Sequence, residues 1–349
     1  MIIIDGSYGE GGGQILRTAV ALSALKKEPI KIVNIRANRP DPGIKSQHYI
    51  AIKSVKELCD AETTGLDVGS STLTFTPGEV KGGCYKFDIG TAGSMILVFQ
   101  TCILAALKSK EKVNIKLIGG TDVKWAPTWD YFKYVFIPLL RNLGVSVDVN
   151  LMKRGYYPRG GGEAEITIYP NANFKQLKLD DQCVFSDVEG IIHISNLPEH
   201  ISTRIKQATI KELTKNNINA DIRIEQTRSF SPGTGIALWV KSKDTILGVT
   251  ILGEKSISSE DVGRIVVRDL LNEIESGANL DVHAFDQLLP YLVISNSDES
   301  PLFVIRELTS HASTTMWVLK HFFSVDFEIK QNEKNVKIKV KNKPNQLSS

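Results

Sequence analysis

The stretch DGSYGEGGGQILR, residues 5–17, organises the rest of the chain. Ile2–Ile4 precede it and predict a short buried strand, and apolar residues then recur at helical spacing from Ile15 to Leu22. Such an order of strand, glycine-rich loop and helix presents backbone N–H groups to a phosphate, and Glu10 suits a divalent cation on the same phosphates. The alternative is a tight turn that binds nothing, and the loop alone does not separate the two.

Composition places the chain among ordinary globular proteins. Its 349 residues favour two domains, and 42% hydrophobic with 23% charged residues is a typical balance. A net charge of +3 does not by itself indicate a polyanionic partner, and four cysteines without a CxxC pair exclude a standard zinc knuckle. The N-terminus reads as a strand and not as a signal peptide, and Met95–Leu107 is too short to span a membrane. We therefore expect a soluble, cytoplasmic protein with no membrane partner.

A basic segment, IRANRPDPGIKSQHY, follows at residues 35–49. Two prolines and a glycine make most of it a loop, and it brings several cationic and polar side chains close together in sequence. One interpretation is a phosphate site, since arginine forks bind phosphate through two hydrogen bonds. The other is a solvated basic loop, the usual arrangement of such charges, which the segment taken alone favours.

The order of strand, glycine-rich loop and helix returns further along. DIGTAGS, residues 88–94, leads into an apolar helix; a helix follows Pro127 to about Leu143, and a third glycine run, Gly160–Gly162, leads into an alternating strand. These recurrences predict repeated units in α/β layers. From Cys183 to about Gly277 the pattern lacks such loops, which predicts a smaller domain inserted into the first.

His311 stands at a predicted strand-to-helix crossing, in TSHASTTM, among small hydroxyl residues. This placement suits an exposed imidazole, which is a nucleophile at phosphorus as well as a general base. A histidine with a purely structural role is the alternative. The sequence has no HExxH, no G-x-S-x-G elbow and no Walker P-loop, so nucleotide chemistry here needs another phosphate cradle.

Taken together, these motifs resemble those of the RNA 3′-terminal phosphate cyclase family. The matching blocks occur in family order from Asp5 to about Phe327: GEGGGQILRTA, IRANRPDPGIKSQH, IGTAGS, FQT, GGTDVKWAP, YPRGGGE, FDQLLPY and TSHASTTM. The resemblance implies an α/β fold whose large domain has three repeated units, each a four-stranded sheet with two helices, plus a smaller inserted α/β domain. We expect the large domain at 1–183 and 278–340, the insertion at 184–277 and a polar tail at 341–349.

The resemblance also implies an activity: a ligase that uses ATP to convert an RNA 3′-terminal phosphate into a 2′,3′-cyclic phosphate. In that family a histidine takes AMP from ATP and passes it to the RNA 3′-phosphate, giving RNA-(3′)pp(5′)A. The ribose 2′-hydroxyl then expels AMP and closes the ring. The implied partners are ATP, RNA with a 3′-phosphate end and Mg²⁺ or Mn²⁺, and a homodimer is expected.

The resemblance transfers roles residue by residue. His311 matches the nucleophile, Glu10 the metal-binding glutamate, Gln100 a nucleotide-contacting glutamine and Pro127 a residue near adenine. A pentad of nucleotide-binding positions matches His283, Ala284, Phe285, Asp286 and Gln287. Four further positions hold either ATP phosphates or the RNA terminal phosphate, and of these we place Arg17 with ATP and Arg36, Arg39 and Gln47 with the RNA end. This sequence departs from the family pattern at His283, Ala284 and Arg159. None of these is the nucleophile or the metal position.

Two other functions compete with this one. Cyclase-like factors of ribosome assembly share the fold but bind and process RNA without adenylylation, and they lack the nucleophilic histidine. A small-molecule transferase or kinase would also use repeated α/β units with glycine loops. It would turn over ATP in response to a metabolite and not to an RNA end.

Overall fold

The computed structural model describes residues 1–170, 172–177, 179, 183–296 and 301–342. Within them the strands are β1 (Ile2–Asp5), β2 (Ile30–Val33), β3 (Glu62–Thr64), β4 (Leu73–Thr76), β5 (Gly83–Asp88), β6 (Val113–Gly119), β7 (Val147–Lys153), β8 (Gly162–Ile168), β9 (Val188–Ser195), β10 (Ala220–Thr227), β11 (Gly233–Lys241), β12 (Ile246–Leu252), β13 (Phe303–Ile305), β14 (Val325–Gln331) and β15 (Val336–Asn342). The α-helices are α1 (Gly13–Lys26), α2 (Ser46–Leu58), α3 (Met95–Ala105), α4 (Trp129–Tyr131), α5 (Ile137–Asn142), α6 (His200–Lys215), α7 (Ser259–Glu275), α8 (Val282–Ile294) and α9 (Ser310–Phe322).

Two sheets have the same topology. The first has the order β1-β2-β4-β3 and the second β5-β6-β8-β7, and in each the first pair is parallel and the others antiparallel. Helices connect the strands at equivalent points, α1 and α2 in the first unit and α3 with the 129–142 segment in the second. Alternation of buried and part-exposed residues along β6 shows why each sheet packs its helices on one face. The repeated α/β units expected from the sequence are confirmed.

The third sheet has three strands within the described residues, in the order β13-β15-β14. This is the arrangement of the second, fourth and third strands of the other sheets, with α8 and α9 as its helices. The fourth strand that the resemblance implied is absent from the described residues. In the repeat it would precede α8 and the insertion, a stretch in which residues 171, 178 and 180–182 lie outside the described chain.

Between the second and third units lies a separate layered structure. Its sheet has the order β10-β9-β11-β12, and α6 and α7 pack together beside it. One hydrophobic core lies within it, between Val188 and Leu270, while Ile191, Ala237, Trp239 and Ile246 of its sheet belong to the large core of the three repeated units. Domain boundaries at 184–277 stay a prediction, as does the polar tail, of which residues 343–349 lie outside the described chain and residues 341–342 belong to β15.

The helix expected from Pro127 to Leu143 is interrupted. Trp129–Tyr131 is α-helical, Phe132–Phe136 is a π-helical turn, and Ile137–Asn142 returns to the α form. Pro138 explains the irregularity, because a proline has no N–H to donate and its ring clashes with the carbonyl four residues earlier. Wider turns relieve that clash and keep the helix continuous.

Helices of all three units meet over one region. Helix α1 packs against α2, α3 and α9, and α8 packs against α9. The N-termini of α1, α8 and α9 therefore come from the first and third units but lie near one another. In the described part of the chain no helix has the length and apolar character needed to cross a bilayer.

Candidate functional site

A cleft of about 470 Å³ opens between these helices. Its lining residues come from α1, α3, α8, α9, α4 with the loop before it, and β12: Gln14, Arg17, Thr18, Leu97, Gln100, Thr101, Leu104, Trp125, Ala126, Pro127, Tyr131, Thr250, His283, Asp286, Gln287, Pro290, Tyr291, His311 and Thr315. Seven of the residues singled out from the sequence are among them: Arg17, Gln100, Pro127, His283, Asp286, Gln287 and His311. Positions spread over almost 300 residues are thus brought to one cavity.

His311 occupies the first turn of α9. Thr309 is the N-cap, and its hydroxyl accepts a hydrogen bond from the Ala312 N–H at 2.9 Å, which fixes where the helix begins. The same hydroxyl donates to Asp286 Oδ1 at 2.7 Å, so α8 and α9 are joined beside the histidine. The His311 side chain is 56% exposed, as a nucleophile requires.

Glu10 lies next to His311 because the opening glycine loop is seated on α9. Tyr8 stacks on Trp317 with ring centroids 4.0 Å apart, and the Ser310 hydroxyl donates to Glu10 across 300 positions of sequence. Glu10 Oε2 is 3.9 Å from His311 Nε2 and accepts a hydrogen bond from Arg39 at 3.1 Å. The carboxylate, the imidazole and the guanidinium form one exposed cluster at the cleft rim.

The electrostatics of this cluster favour a neutral imidazole. Desolvation lowers the pKa of His311, and the nearby cations Arg17 and Arg39 act in the same direction, against Glu10. The hydrogen bond from Ser310 lowers the pKa of Glu10, with help from His311 and Arg39. At neutral pH the site therefore pairs an uncharged nucleophile with an ionised carboxylate.

Sequence reasoning missed Gln14. Its Nε2 donates to the His311 backbone carbonyl at 3.0 Å and also to the Thr315 hydroxyl, so it joins the start of α1 to the first turn of α9. Gln14 stands inside the motif GEGGGQILR, but nothing in that motif shows which residue 300 positions away it will contact.

The N-terminus of α1 carries a positive environment. Its N-cap, Gly12, offers no side-chain acceptor to the first turn. A turn later Arg17 lines the cleft, and among the described residues it has no hydrogen-bond or ion-pair partner. Desolvation lowers the pKa of Arg17 to about 10, which leaves it cationic at neutral pH. Free N–H groups and an unpartnered guanidinium are what a phosphate group requires.

Gly13 is required at the start of α1 by its neighbour His48. A Cβ at Gly13 would lie 1.9 Å from His48 Nε2, so only glycine allows the two segments to approach. Burial lowers the pKa of His48 to about 3, with Arg17, Arg36 and Lys45 acting in the same direction. His48 is therefore a neutral residue that seats the basic segment against the glycine loop.

The positions of the nucleotide pentad divide into two groups. His283, Asp286 and Gln287 line the cleft, where Gln287 accepts a hydrogen bond from the Gln100 amide and burial raises the pKa of Asp286 to about 7. Ala284 and Phe285 are fully buried in the core and their side chains do not line the cleft. Helical geometry explains the split, because successive residues of α8 cannot all face the same side.

Pro127 lies on the cleft wall with Trp125, a second residue that sequence reasoning did not single out. Trp125 is 96% exposed and has a φ of 59°, a left-handed conformation that is unusual for a bulky residue. The loop that holds both residues is connected to the inserted sheet, since Lys124 pairs with Glu254 at 2.6 Å.

Three predicted residues lie beside the cleft but not in its wall. Arg39 contacts Glu10, Arg36 donates to the Asp41 carbonyl at 3.1 Å, and Gln47 Oε1 accepts from the Ser94 N–H at 3.0 Å. Within the described residues the Nε atoms of Arg36 and Arg39 are buried without a hydrogen-bond partner. These two donors are therefore available to an acceptor that the described residues do not supply.

The residues fit a metal bound together with phosphates and do not fit one held by the protein alone. No group of three or more histidine, cysteine or acidic side chains with metal-binding geometry occurs in the described chain. Magnesium commonly takes one or two carboxylates and completes its coordination with substrate phosphates and water. Glu10 is such a carboxylate, ionised and partly exposed at the rim.

A second ionic cluster lies away from the cleft, between the second unit and the inserted sheet. Arg154, 1% exposed, donates to Asp122 at 3.1 Å, to both oxygens of Asp130 at 2.9 and 3.0 Å, and to Glu225 at 2.8 Å. His193 Nε2 is 3.6 Å from Asp122, and burial lowers the pKa of that histidine to about 4. Three carboxylates around one guanidinium join the two parts of the molecule.

In chemical terms, the cleft combines a neutral imidazole, a cationic helix N-terminus and an apolar wall with two amide side chains. An exposed, neutral imidazole can attack an electrophile, and an unpartnered guanidinium can bind an anionic group. The apolar wall with Gln100 and Gln287 has the character of a nucleobase site, with a few polar groups in a mainly apolar lining.

Known proteins of similar sequence span nearly the whole chain. A family model described as RNA 3′-terminal phosphate cyclase matches residues 8–329. A protein of that name from Pyrococcus furiosus is 43% identical over 330 residues, which cover 95% of this chain and 95% of that protein. A protein of the same name from Methanosarcina mazei is 41% identical, and the match covers 95% of this chain and 98% of that protein. Another from Nitrosospira multiformis is 40% identical, and the match covers 99% of this chain and 98% of that protein.

Proposed function

The chain belongs to the RNA 3′-terminal phosphate cyclase family, and from this premise we propose that it converts an RNA 3′-phosphate end into a 2′,3′-cyclic phosphate with ATP. The observation that carries the proposal is the position of His311, exposed in the cleft and 3.9 Å from Glu10. A cyclase-like binding factor without adenylylation needs no exposed nucleophile at that place.

The first step joins His311 to AMP. The neutral imidazole attacks the α-phosphorus of ATP, a P–N bond forms, and pyrophosphate leaves with the electrons of the broken P–O bond. Adenine would lie against Pro127 and the Gln100–Gln287 pair, while Arg17 and the α1 N-terminus would hold the phosphates. Glu10 would hold Mg²⁺ or Mn²⁺, which supplies neutralisation of phosphate charge when bound.

The second and third steps use the RNA end. An oxygen of the RNA 3′-phosphate attacks the phosphorus on His311, which frees the imidazole and gives RNA-(3′)pp(5′)A. The ribose 2′-hydroxyl, on losing its proton, then attacks the 3′-phosphorus and AMP departs, which closes the ring. Arg36, Arg39 and Gln47, beside the cleft, would bind the terminal phosphate.

The test uses purified protein with α-labelled ATP and divalent metal. We expect label that stays on the protein without RNA, that is released by acid and not by base, and that is absent in His311→Ala. His321→Ala is a matched control on the same helix. A wild-type protein that takes no label would favour the non-catalytic factor, and ATP turnover that depends on a metabolite and ignores RNA ends would favour a small-molecule kinase. A homodimer stays a prediction from the family resemblance, and a cytoplasmic location stays a prediction from the sequence composition.

A further inference from the structure

An exposed aromatic and basic surface lies where the second unit meets the inserted sheet. We define the Tyr157–Phe230 surface by five residues: Lys153, Tyr157, Arg159, Arg228 and Phe230. Tyr157 is 77% and Phe230 58% exposed. Arg159 and Arg228 are also exposed, and in the described chain neither guanidinium has a hydrogen-bond or ion-pair partner.

Hydrogen bonds and a cation–π contact fix the conformation of this surface. The turn that carries Tyr157 is closed by a hydrogen bond from the Gly160 N–H to the Tyr156 carbonyl at 2.8 Å. The Arg159 N–H donates to the Ser231 hydroxyl at 3.1 Å, which fixes the turn against the segment that carries Phe230. Lys153 lies over the Phe230 ring, 3.4 Å from its centroid. Two chain segments from different parts of the molecule are thus fixed against each other, and each carries an exposed aromatic side chain.

This surface continues from the position proposed for the RNA end. Gln47 accepts from the Ser94 N–H, and a Cβ at Gly93 would lie 3.2 Å from the Gln47 side chain. A Cβ at Gly160 would lie 2.8 Å from the Thr91 carbonyl, so the 91–94 loop touches Gln47 at one end and the Tyr157 turn at the other. A Cβ at Gly161 would lie 2.2 Å from the Phe230 ring. Contact is therefore continuous from Gln47 to Phe230.

We propose that single-stranded RNA upstream of the 3′-phosphate binds along this path, with bases stacked on Tyr157 and Phe230 and phosphates held by Arg159 and Arg228. Exposed aromatic rings beside cations are the usual elements of sequence-tolerant single-strand binding, since every base has a face to stack and every nucleotide a phosphate. The inference rests on the proposed function. In it, the segment between β10 and β11 of the inserted sheet contributes Arg228 and Phe230 to RNA binding.

The experiment compares two RNA substrates with 3′-phosphate ends, one of about 20 nucleotides and one trinucleotide. We expect the double variant Tyr157→Ala/Phe230→Ala to raise KM about 30-fold for the longer RNA and to leave the KM of the trinucleotide unchanged. Labelling of the protein by α-labelled ATP without RNA should also be unchanged, because that step does not involve this surface. Tyr169→Ala, which removes another exposed aromatic side chain of the second unit, is the control.

Salt dependence gives a second readout. Arg159→Ala and Arg228→Ala should each reduce the slope of log affinity against log salt by about 0.7 for the longer RNA, the contribution of one single-strand phosphate. Arg268→Ala, an exposed arginine of the inserted segment that is paired with Asp269, should leave the slope unchanged.

The outcomes separate this inference from the function on which it rests. An unlabelled wild-type protein that forms no cyclic phosphate overturns the proposed function. Normal labelling and cyclisation with unchanged KM and salt slope in the variants overturn the RNA path alone and leave the surface to a protein partner. An equal rise of KM for both RNAs also overturns it, because the variants would then act on the site of the terminal phosphate.

Discussion

Two clusters have the same side-chain types and similar spacing but differ in burial. Around His311 a histidine, a carboxylate and an arginine meet at the cleft rim, with the His311 and Glu10 side chains 56% and 42% exposed. Around Arg154 the same three types meet at similar distances, with His193 and Asp122 1% and 0% exposed. The His–carboxylate separations are 3.9 and 3.6 Å. Residue type and distance therefore do not distinguish a reactive site from a structural one.

Burial makes the difference. At the rim, water remains available to every group, so each ion pair contributes little to stability and the imidazole can reach a substrate. In the interior, Asp122 and Asp130 are not solvated, so their charges depend on Arg154 and removal of one partner is costly. The rim cluster is free to exchange its contacts for those of a ligand, whereas the interior cluster is not.

The largest expected effect comes from breaking the interior cluster. Arg154→Met would leave Asp122 and Asp130 buried without their cation, and we expect a loss of about 3–5 kcal/mol in the free energy of unfolding. Urea denaturation at neutral pH measures it. Arg39→Met removes the corresponding arginine of the rim cluster and should cost less than about 1 kcal/mol. Equal losses in the two variants would show that burial does not separate the clusters.

A smaller expected effect is the loss of unfolding free energy at low pH that His193 causes. His193 has a folded pKa of about 4 against an ordinary value of 6.5, so below pH 6.5 the unfolded chain binds a proton that the folded protein does not. Stability should therefore fall as the pH is lowered from 6.5 to 4, with about 3 kcal/mol lost through this group. The measurement is the free energy of unfolding at several pH values, and His193→Gln should remove about that much of the decline.

His311→Gln is the matched variant for that test. Its ring is more than half exposed, so the pH dependence of unfolding should change much less than in His193→Gln. If both variants reduce the pH dependence of the free energy of unfolding equally, burial does not determine how much each histidine contributes to it.

The smallest effect concerns Glu10. Glu10→Gln keeps the shape of the side chain and removes its charge, and we expect protein labelling by α-labelled ATP to slow about 10- to 100-fold.

In the wild type the rate of protein labelling should rise with pH to a plateau, with half its maximum below pH 6.5, because desolvation lowers the pKa of His311 and the neutral ring is the nucleophile. Since Glu10 raises that pKa, the variant should reach its plateau at a lower pH.

Asp41→Asn provides the control for Glu10→Gln. It removes one carboxylate charge from the neighbouring loop, where Asp41 pairs with Lys45 and is largely exposed. An unchanged rate and pH profile are expected. The same slowing in both variants would mean that net charge near the cleft, and not the position of Glu10, controls the reaction.

Sequence patterns predicted the fold where the signal is local and periodic. The isoleucines before the glycine loop form β1, the apolar residues after it form α1, and the same order returns at β5 and α3. The site was accessible only in part. Gln14 and Trp125 stand in motifs that were recognised, but their places in the cleft depend on contacts with distant segments that no local pattern encodes.

Arg154 and Arg159 show the same limit within one loop. The two arginines lie five positions apart in RGYYPRGGG. Arg154 is buried in the interior cluster, whereas Arg159 lies on an exposed surface. Both appear in the sequence as loop charges beside glycines. Asp122 and Asp130 of the same unit and Glu225 of β10 in a different sheet surround the Arg154 guanidinium, and no local pattern encodes these contacts.

Asp281, the N-cap of α8, receives four hydrogen bonds from three separate parts of the chain. The donors are the Tyr131 hydroxyl at 2.6 Å, the Gly248 N–H of β12 at 3.0 Å, and the N–H groups of His283 and Ala284 at 3.1 and 2.9 Å. A tilt of the inserted sheet would therefore strain the first turn of the helix that carries Asp286 and Gln287. If RNA binding at the Tyr157–Phe230 surface tilts this sheet, RNA and ATP will change each other's affinity by the same factor.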